Sequence, residues 1–130
     1  MIKLIEAYIS ENKAEERAVR NNLEILIKHM LKCKYINEYP NKSNWRKTVY
    51  NAHINLIFEF KAVGKGRLYK NYYIKQLDLN KIYKLAVINV SEEIGKSKTC
   101  FPSKCEWKLT DFVNDQFIDD FIDKWGQDCD

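Results

Sequence analysis

The chain has 130 residues and a net charge of +4, with 45% hydrophobic and 31% charged residues but only 4 glycines and 2 prolines. A chain of this length buries roughly two thirds of its unfolded surface, so we expect a single globular domain rather than disorder. No apolar run approaches the roughly 20 residues of a membrane span, and the start of the chain lacks the apolar core of a signal peptide. We therefore expect a cytoplasmic protein that does not associate with a membrane.

Charge is distributed unevenly along the chain. Residues 28–84 contain 13 lysines and arginines against 3 acidic residues, whereas residues 85–130 contain 5 against 10. The basic middle segment could contact an anionic partner. Alternatively, it could contact the acidic end of the same chain. We expect the domain, residues 1–130, to close with an acidic C-terminal extension from about residue 119.

The first part of the chain predicts two consecutive helices. One covers residues 2–9 and is followed by a break near residues 10–12, because Asn12 and Glu15 resemble a capping box that begins a new helix. The next helix, over residues 13–35, is predicted from apolar residues that recur at steps of three and four. These residues are Val19, Leu23, Leu26, Met30 and Cys33.

A second long helix is predicted after a turn around Pro40, with Ser43 as its N-terminal cap. Its apolar face is predicted to contain Trp45, Val49, Ala52, Leu56, Ile57 and Phe60. The sequence GKGR at residues 64–67 is expected to end it, since glycine accepts the left-handed conformation of a C-terminal cap. The two long helices resemble an antiparallel helix hairpin and predict an all-α fold, a small helical bundle.

Three shorter helices are predicted in the rest of the chain, over residues 68–77, 80–93 and 110–125. The middle one is open to another interpretation, because KLAVINV is a continuous apolar run that would also suit a buried strand. Asn80 as a cap and Gly95 as a stop favour the helix. The last segment is amphipathic and rich in aspartate.

The stretches NLEILIKHMLKCKY, SNWRKTV and IYKLAVINVSEEIG followed by CFPSKCEWKLTDFVNDQF are similar to known family patterns. The patterns are NL-x-x-L-x-x-H-L-L-K-W, then S-W-R-x-T-I, and finally A-x-x-x-A-x-x-E-T-G leading to F-P-x-x-C-P-Y-T-L. They are typical of the bacterial domain-of-unknown-function family number twenty-nine, which is abundant in cyanobacteria. The resemblance covers about residues 10–118, with Cys33 in place of the family's tryptophan. It implies an essentially all-helical domain and no particular activity.

The chain contains four cysteines, Cys33, Cys100, Cys105 and Cys129. Without an export signal, an even number of cysteines does not indicate a disulfide framework, and only Cys100 and Cys105 have the close spacing of zinc ligands. We therefore expect thiols, with no metal site and no cofactor. The resemblance implies that Cys105 occupies a family position and that Cys100 has no counterpart. TCFPSKCEW is therefore interpreted as a loop between helices, with Phe101 as its anchor and Pro102 as its stop.

No group of residues predicts a catalytic site, and none is assigned as catalytic. His29 is similar to the histidine of the family's H-L-L-K pattern, but it lies at the edge of the apolar stripe, where histidine is usually a packing residue. Glu59, in EFK after an apolar run, resembles a metal-dependent nuclease carboxylate, yet the twenty residues before it contain no acidic residue. GKGR lacks the spacing of a phosphate-binding loop.

One pattern favours nucleic acid. In KGRLYKNYYIKQ, cations that would neutralise phosphates alternate with tyrosines that would stack on bases. The candidate contacts are Lys65, Arg67, Lys70, Tyr72 and Lys75. The same spacing also describes an ordinary amphipathic helix with tyrosines facing the core and lysines in solvent.

The sequence therefore predicts a non-enzymatic helical binding or regulatory module that acts through protein–protein contacts, with another protein or a second copy as partner. The first alternative is a nucleic-acid-binding protein that uses the basic segment 61–84. The second is a metal-dependent hydrolase that uses Glu59 and His29.

Overall fold

The computed structural model describes the backbone of residues 2–36, 42–63 and 78–125 and the side chains of residues 17–36, 44–58 and 78–125. Within these ranges there are five α-helices and a short 3₁₀ turn, and no strand. The helices are α1 (Ile2–Tyr35), α2 (Lys42–Val63), α3 (Leu79–Ile94), α4 (Leu109–Phe112) and α5 (Asp115–Trp125), and the 3₁₀ turn is Lys98–Cys100. The all-α prediction is confirmed. The helix predicted over residues 68–77 lies outside the described residues.

Helix α1 is continuous from Ile2 to Tyr35, so the predicted break near residues 10–12 is wrong. This stretch contains neither glycine nor proline, and serine or asparagine inside a helix costs only a few tenths of a kcal/mol relative to alanine. Asn12 therefore lies within α1 and not at the start of a helix. The predicted apolar stripe of α1, from Val19 to Cys33, is fully buried, as expected.

Helix α2 packs closely against α1 and forms the predicted hairpin with it. It begins at Lys42, so Ser43 lies inside its first turn and not at the cap position. A shift of one or two residues is the usual scale of disagreement at a helix end. Lys32, near the end of α1, has its ammonium 5.8 Å from the centre of the Trp45 ring, near the start of α2, as the antiparallel arrangement requires.

The apolar run KLAVINV belongs to helix α3, which excludes the strand interpretation. The N-terminal cap is Asp78, not Asn80, and its side chain accepts a hydrogen bond from the backbone N–H of Lys81. Gly95 ends the helix at a φ of 68°, where its N–H donates to the Ser91 carbonyl. This left-handed conformation is readily available to glycine, and the predicted stop is confirmed.

The segment predicted as one helix over residues 110–125 forms two helices, α4 and α5. The interruption falls at Asn114, whose side chain accepts a hydrogen bond from the backbone N–H of Phe117 at 3.1 Å. Asparagine is among the best N-terminal caps because its short side chain satisfies an otherwise unpaired N–H in this way. Phe112, Ile118 and Phe121 are buried, so this end of the chain belongs to the core.

The core lies where α3 and the α4–α5 segment pack on the α1–α2 hairpin. Helices α1 and α3 run in the same direction, because Glu24 contacts Asn89 and, one turn further along each helix, Lys28 contacts Glu93. Trp107 packs edge-to-face against Phe112 and Phe121, which attaches the last two helices to the preceding loop. In the part of the chain that the structure describes, no helix has the length and apolar character needed to cross a bilayer.

Candidate functional site

Helix α2 carries a row of large apolar side chains that no described residue covers. Tyr50, Ile54 and Phe58 are spaced by four residues, so they lie along one side of the helix, and they are 46%, 49% and 69% exposed. They are three of the five large apolar side chains that are exposed within the described residues, the others being Ile25 on α1 and Leu85 on α3. We call Tyr50, Ile54 and Phe58 the α2 stripe.

The α2 stripe carries no charge. Residues 50–58 read YNAHINLIF, so the exposed side chains beside the stripe within this stretch are the amides of Asn51 and Asn55. At the Tyr50 end, the stripe borders the charged side chains of Arg46, Lys47, Asp119 and Asp123. An exposed apolar row with a polar border is typical of a protein interaction site.

The opposite side of α2 is held firmly in the fold. Val49, Ala52 and Leu56 are buried, as predicted, and they pack on the core. His53 is also buried and connects α2 to the end of the chain: its Nδ1 lies 2.8 Å from the carbonyl oxygen of Phe112 and its Nε2 lies 2.8 Å from Oδ1 of Asp115. The α2 stripe is therefore displayed on a helix that is fixed from behind.

The prediction for the α2 core face is confirmed only in part. Ile57 and Trp45 are half-buried at its edge, and the side chain of Phe60 lies outside the described residues. Trp45, expected in the core, packs against it from the side with the Lys32 ammonium above its ring. The α2 stripe was not predicted from the sequence, although the four-residue spacing of Tyr50, Ile54 and Phe58 is visible there.

His29 lies half-buried on α1, beside two lysines. Burial and, to a smaller extent, the positive charges of Lys32 and Lys28 together lower the pKa of His29 from 6.5 to about 4. Its Nδ1 is buried without a hydrogen-bond partner among the described residues. A ring that is neutral at pH 7 and hard to protonate is a poor general acid and a weak base. The side chain of Glu59, its proposed partner in a hydrolase, lies outside the described residues.

The two lysines beside His29 share one carboxylate. The Nζ atoms of Lys28 and Lys32 lie 2.9 and 2.6 Å from the two oxygens of Glu93 on α3. Burial alone would raise the pKa of Glu93, but these hydrogen bonds and positive charges lower it to about 2. Lys32 is almost fully buried between Glu93 and the Trp45 ring. This cluster therefore joins three helices. Each of its charged groups has a partner of opposite charge within the protein.

The cysteines behave as separate thiols in the described residues. Cys33 is buried, Cys100 is exposed, and Cys105 is half-buried with its Sγ 3.4 Å from the Trp107 carbonyl. Burial raises the pKa of the Cys105 thiol. Within the described side chains, no three His, Cys, Asp or Glu residues come together as a metal site would require. The loop that contains Phe101 and Pro102 runs between α3 and α4, as interpreted from the sequence.

The predicted nucleic-acid contacts lie outside the described residues, and the same holds for Cys129. These contacts are Lys65, Arg67, Lys70, Tyr72 and Lys75. The acidic helix α5 lies beside basic residues of α2 instead, because Asp119 and Asp123 line a cleft together with Arg46 and Lys47. Part of the acidic end of the chain therefore lies beside basic residues of the same chain. This agrees with the second of the two interpretations of the charge pattern, in which the basic middle faces the chain's own acidic end.

Comparison with known proteins identifies a family without an assigned activity. The family model described as Domain of unknown function DUF29 matches residues 1–118. No curated protein matches the chain, and no solved structure matches it either.

Proposed function

We propose that this chain, which belongs to the family Domain of unknown function DUF29, is a non-enzymatic module of the bacterial cytoplasm that pairs with a second copy of itself through the α2 stripe. The observation that carries the proposal is the exposure of Tyr50, Ile54 and Phe58 on one side of a single helix. Covering such a row removes apolar surface from water, which is the main driving force of protein association.

The lack of charged residues between Tyr50 and Phe58 favours a second copy as the partner. At a two-fold axis each residue meets its own counterpart or a near neighbour, so a charged side chain there would face a like charge. Residues 50–58 contain no Lys, Arg, Asp or Glu. The amides of Asn51 and Asn55 both donate and accept hydrogen bonds, so they are compatible with identical groups opposite them.

The spacing of the α2 stripe favours an antiparallel pair of α2 helices. Ile54 lies midway between Tyr50 and Phe58, so a two-fold axis at Ile54 brings each Tyr50 ring to the Phe58 ring of the other copy. Aromatic pairs of this kind add about 0.5 to 1.5 kcal/mol beyond the area they bury. An antiparallel pair also opposes the two helix dipoles, whereas a parallel pair would align them.

The state of His29 supports a non-enzymatic role. Among the residues considered as catalytic, it alone has a described side chain, and burial has lowered its pKa to about 4. A general base or acid works best with a pKa near the working pH. His29 is therefore better explained as part of the contact between α1 and α3 than as a proton-transfer group.

A cross-link at the proposed axis tests this arrangement. Ile54→Cys, in a chain whose Cys100 and Cys129 are replaced by serine, should form a disulfide between two copies under mild oxidation, because each Ile54 faces its counterpart. Leu85→Cys in the same background is the matched control, since Leu85 is 45% exposed on α3 and lies off the α2 stripe. Equal cross-linking of both variants, or none at position 54, would contradict the proposed pairing.

A further inference from the structure

An apolar groove lies between α3 and the loop that follows the 3₁₀ turn. Its floor and walls are formed by Val87 and Ile88 of α3 and by Phe101 and Pro102 of the loop. The groove is open to solvent and has a volume of about 400 Å³. This volume is within the range of about 300 to 1,000 Å³ that is usual for small-molecule sites. The groove is separate from the α2 stripe, and the proposal made for it does not depend on self-association.

The groove is held open by contacts that do not involve a ligand. The Tyr83 hydroxyl donates a hydrogen bond to the Pro102 carbonyl at 2.5 Å, and burial raises the Tyr83 pKa, so this group remains a donor. Phe101 is fixed on the other side by an edge-to-face contact with Tyr35, with ring centres 6.0 Å apart. Because the loop is already fixed in this way, a ligand does not have to order it on binding, and this lowers the entropic cost of binding.

One end of the groove is polar and basic. A smaller cleft of about 240 Å³ shares Tyr83, Lys84 and Ser103 with the groove and adds Asn80 and Lys104. Lys98 lines the groove itself. None of the described residues that line the two cavities is acidic, so the ammonium groups meet no carboxylate there. An apolar groove that leads to ammonium groups with no acidic neighbour among its described lining residues matches a ligand with an apolar body and an anionic head.

We propose that this groove binds a small amphiphilic carboxylate, an acid with an extended hydrocarbon chain. The chain would lie against Val87, Ile88 and Phe101, and the carboxylate would be held by the ammonium groups of Lys84 and Lys104. A carboxylate accepts several hydrogen bonds at once, and those from charged donors are about twice as strong as neutral ones. The hydroxyl of Ser103 supplies a further donor at the same end of the groove.

A calorimetric titration with decanoate, below its micelle concentration, tests the proposal. Decanol is the matched ligand, because it has the same chain and no charge. We expect saturable binding of decanoate with a stoichiometry of about one per chain. Decanol should bind at least about tenfold more weakly, because the loss of one charge-assisted hydrogen bond raises the dissociation constant about tenfold. No saturable binding of decanoate, or equal affinity for decanol, would overturn the proposal.

Two variants locate the site. Lys84→Glu with Lys104→Glu should weaken decanoate binding by at least about tenfold and leave decanol binding unchanged, because only the head group is affected. Lys81→Glu is the control, since Lys81 is an exposed lysine of α3 that lines neither cavity. Thermal unfolding of each variant checks that the fold is intact. Equal loss of affinity in the control and in the double variant would show that net charge, not this groove, attracts the ligand.

An environment-sensitive fluorophore provides a second readout. Cys100 is exposed and lies between Thr99 and Phe101, both of which line the groove, so a dye attached there reports on its occupation. Decanoate should change the dye signal with the same affinity that calorimetry gives. A calorimetric signal without any change of the dye would place the ligand elsewhere and contradict the assignment.

Discussion

His53 of α2 and Asp115 of α5 form a contact between residues 62 positions apart, with Nε2 of the ring 2.8 Å from Oδ1 of the carboxylate. The other ring nitrogen lies 2.8 Å from the Phe112 carbonyl oxygen. Both partners are hydrogen-bond acceptors. The helix that displays the α2 stripe is thereby attached to the acidic end of the chain.

Replacing His53 by alanine should destabilise the protein by about 2 to 4 kcal/mol, because it leaves a cavity and removes the hydrogen bond to the Phe112 carbonyl. Asp115→Asn should cost less than about 1 kcal/mol, since the Asp115 side chain is 82% exposed and an exposed carboxylate contact contributes little. Urea unfolding at pH 7 measures both. If the two variants lose equal stability, the contact with Asp115 and not the buried contact with the Phe112 carbonyl holds α5 in place.

The low pKa of His29 predicts a loss of stability between pH 6.5 and about 4. The free energy of unfolding should fall as the pH is lowered through this range. The reason is that the unfolded ring binds a proton near pH 6.5, whereas the folded ring binds one only near pH 4. His29→Leu should reduce the pH dependence in that window. Unfolding curves at pH 5 and 7, with an NMR titration of the ring, check this, and a folded-state midpoint near 6.5 would contradict it.

Glu93 predicts a second, lower pH window. Lys32 and Lys28 hold its pKa near 2, below the ordinary 4.5, so its contribution is present above pH 4.5 and is lost as the pH falls toward 2. The carboxylate is 45% exposed, and after discounting for solvent screening we expect Glu93→Gln to cost about 1 to 2 kcal/mol at pH 7. The difference between variant and parent should shrink below pH 4.5. A constant difference down to pH 3 would show that the charge of Glu93 is not involved.

The cysteines should react in a fixed order. With Cys129 replaced by serine, a thiol reagent should modify exposed Cys100 first, then Cys105, whose raised pKa leaves little thiolate, and buried Cys33 only on unfolding. Peptide mass spectrometry measures the order, and metal analysis of protein purified without chelator should find no stoichiometric zinc. Rapid labelling of Cys33 in the folded protein would contradict the core described above.

The helices could be predicted from the sequence because their signals are local. The apolar steps from Val19 to Cys33 and the stop at Gly95 depend only on spacing and backbone preference. The boundaries between helices were less predictable. Serine and asparagine near residues 10–12 are compatible with either a cap or a helix interior, and only the cost of interrupting α1 decides between them.

The α2 stripe and the groove could not be predicted in the same way. The α2 stripe exists because Val49, Ala52 and Leu56 occupy the available core contacts, and this depends on where α1 and α5 lie. The groove depends on the contact of Tyr83 with the Pro102 carbonyl, between residues 19 positions apart. Apolar residues on both faces of a helix do not reveal from sequence alone which face is buried.

Nucleic-acid binding through the basic segment stays a prediction with its own test. If that alternative is right, binding to single- or double-stranded DNA should weaken steeply as salt increases, because each phosphate contact releases counterions. Reversal of Lys65, Arg67, Lys70 and Lys75 to glutamate should abolish that binding without unfolding the protein. A self-associating module predicts no salt-dependent binding by the parent.

The mass of the protein in solution, measured by light scattering during size exclusion, tests the self-association most directly. The parent should have twice the 15.5 kDa mass of one chain, and Ile54→Glu should have the mass of one chain because it places a charge at the two-fold axis. Leu85→Glu introduces the same charge at a similarly exposed apolar position on α3 and should retain the doubled mass. A parent that has the mass of one chain at every concentration up to about 1 mM, the weak limit of specific association, would contradict the proposed function.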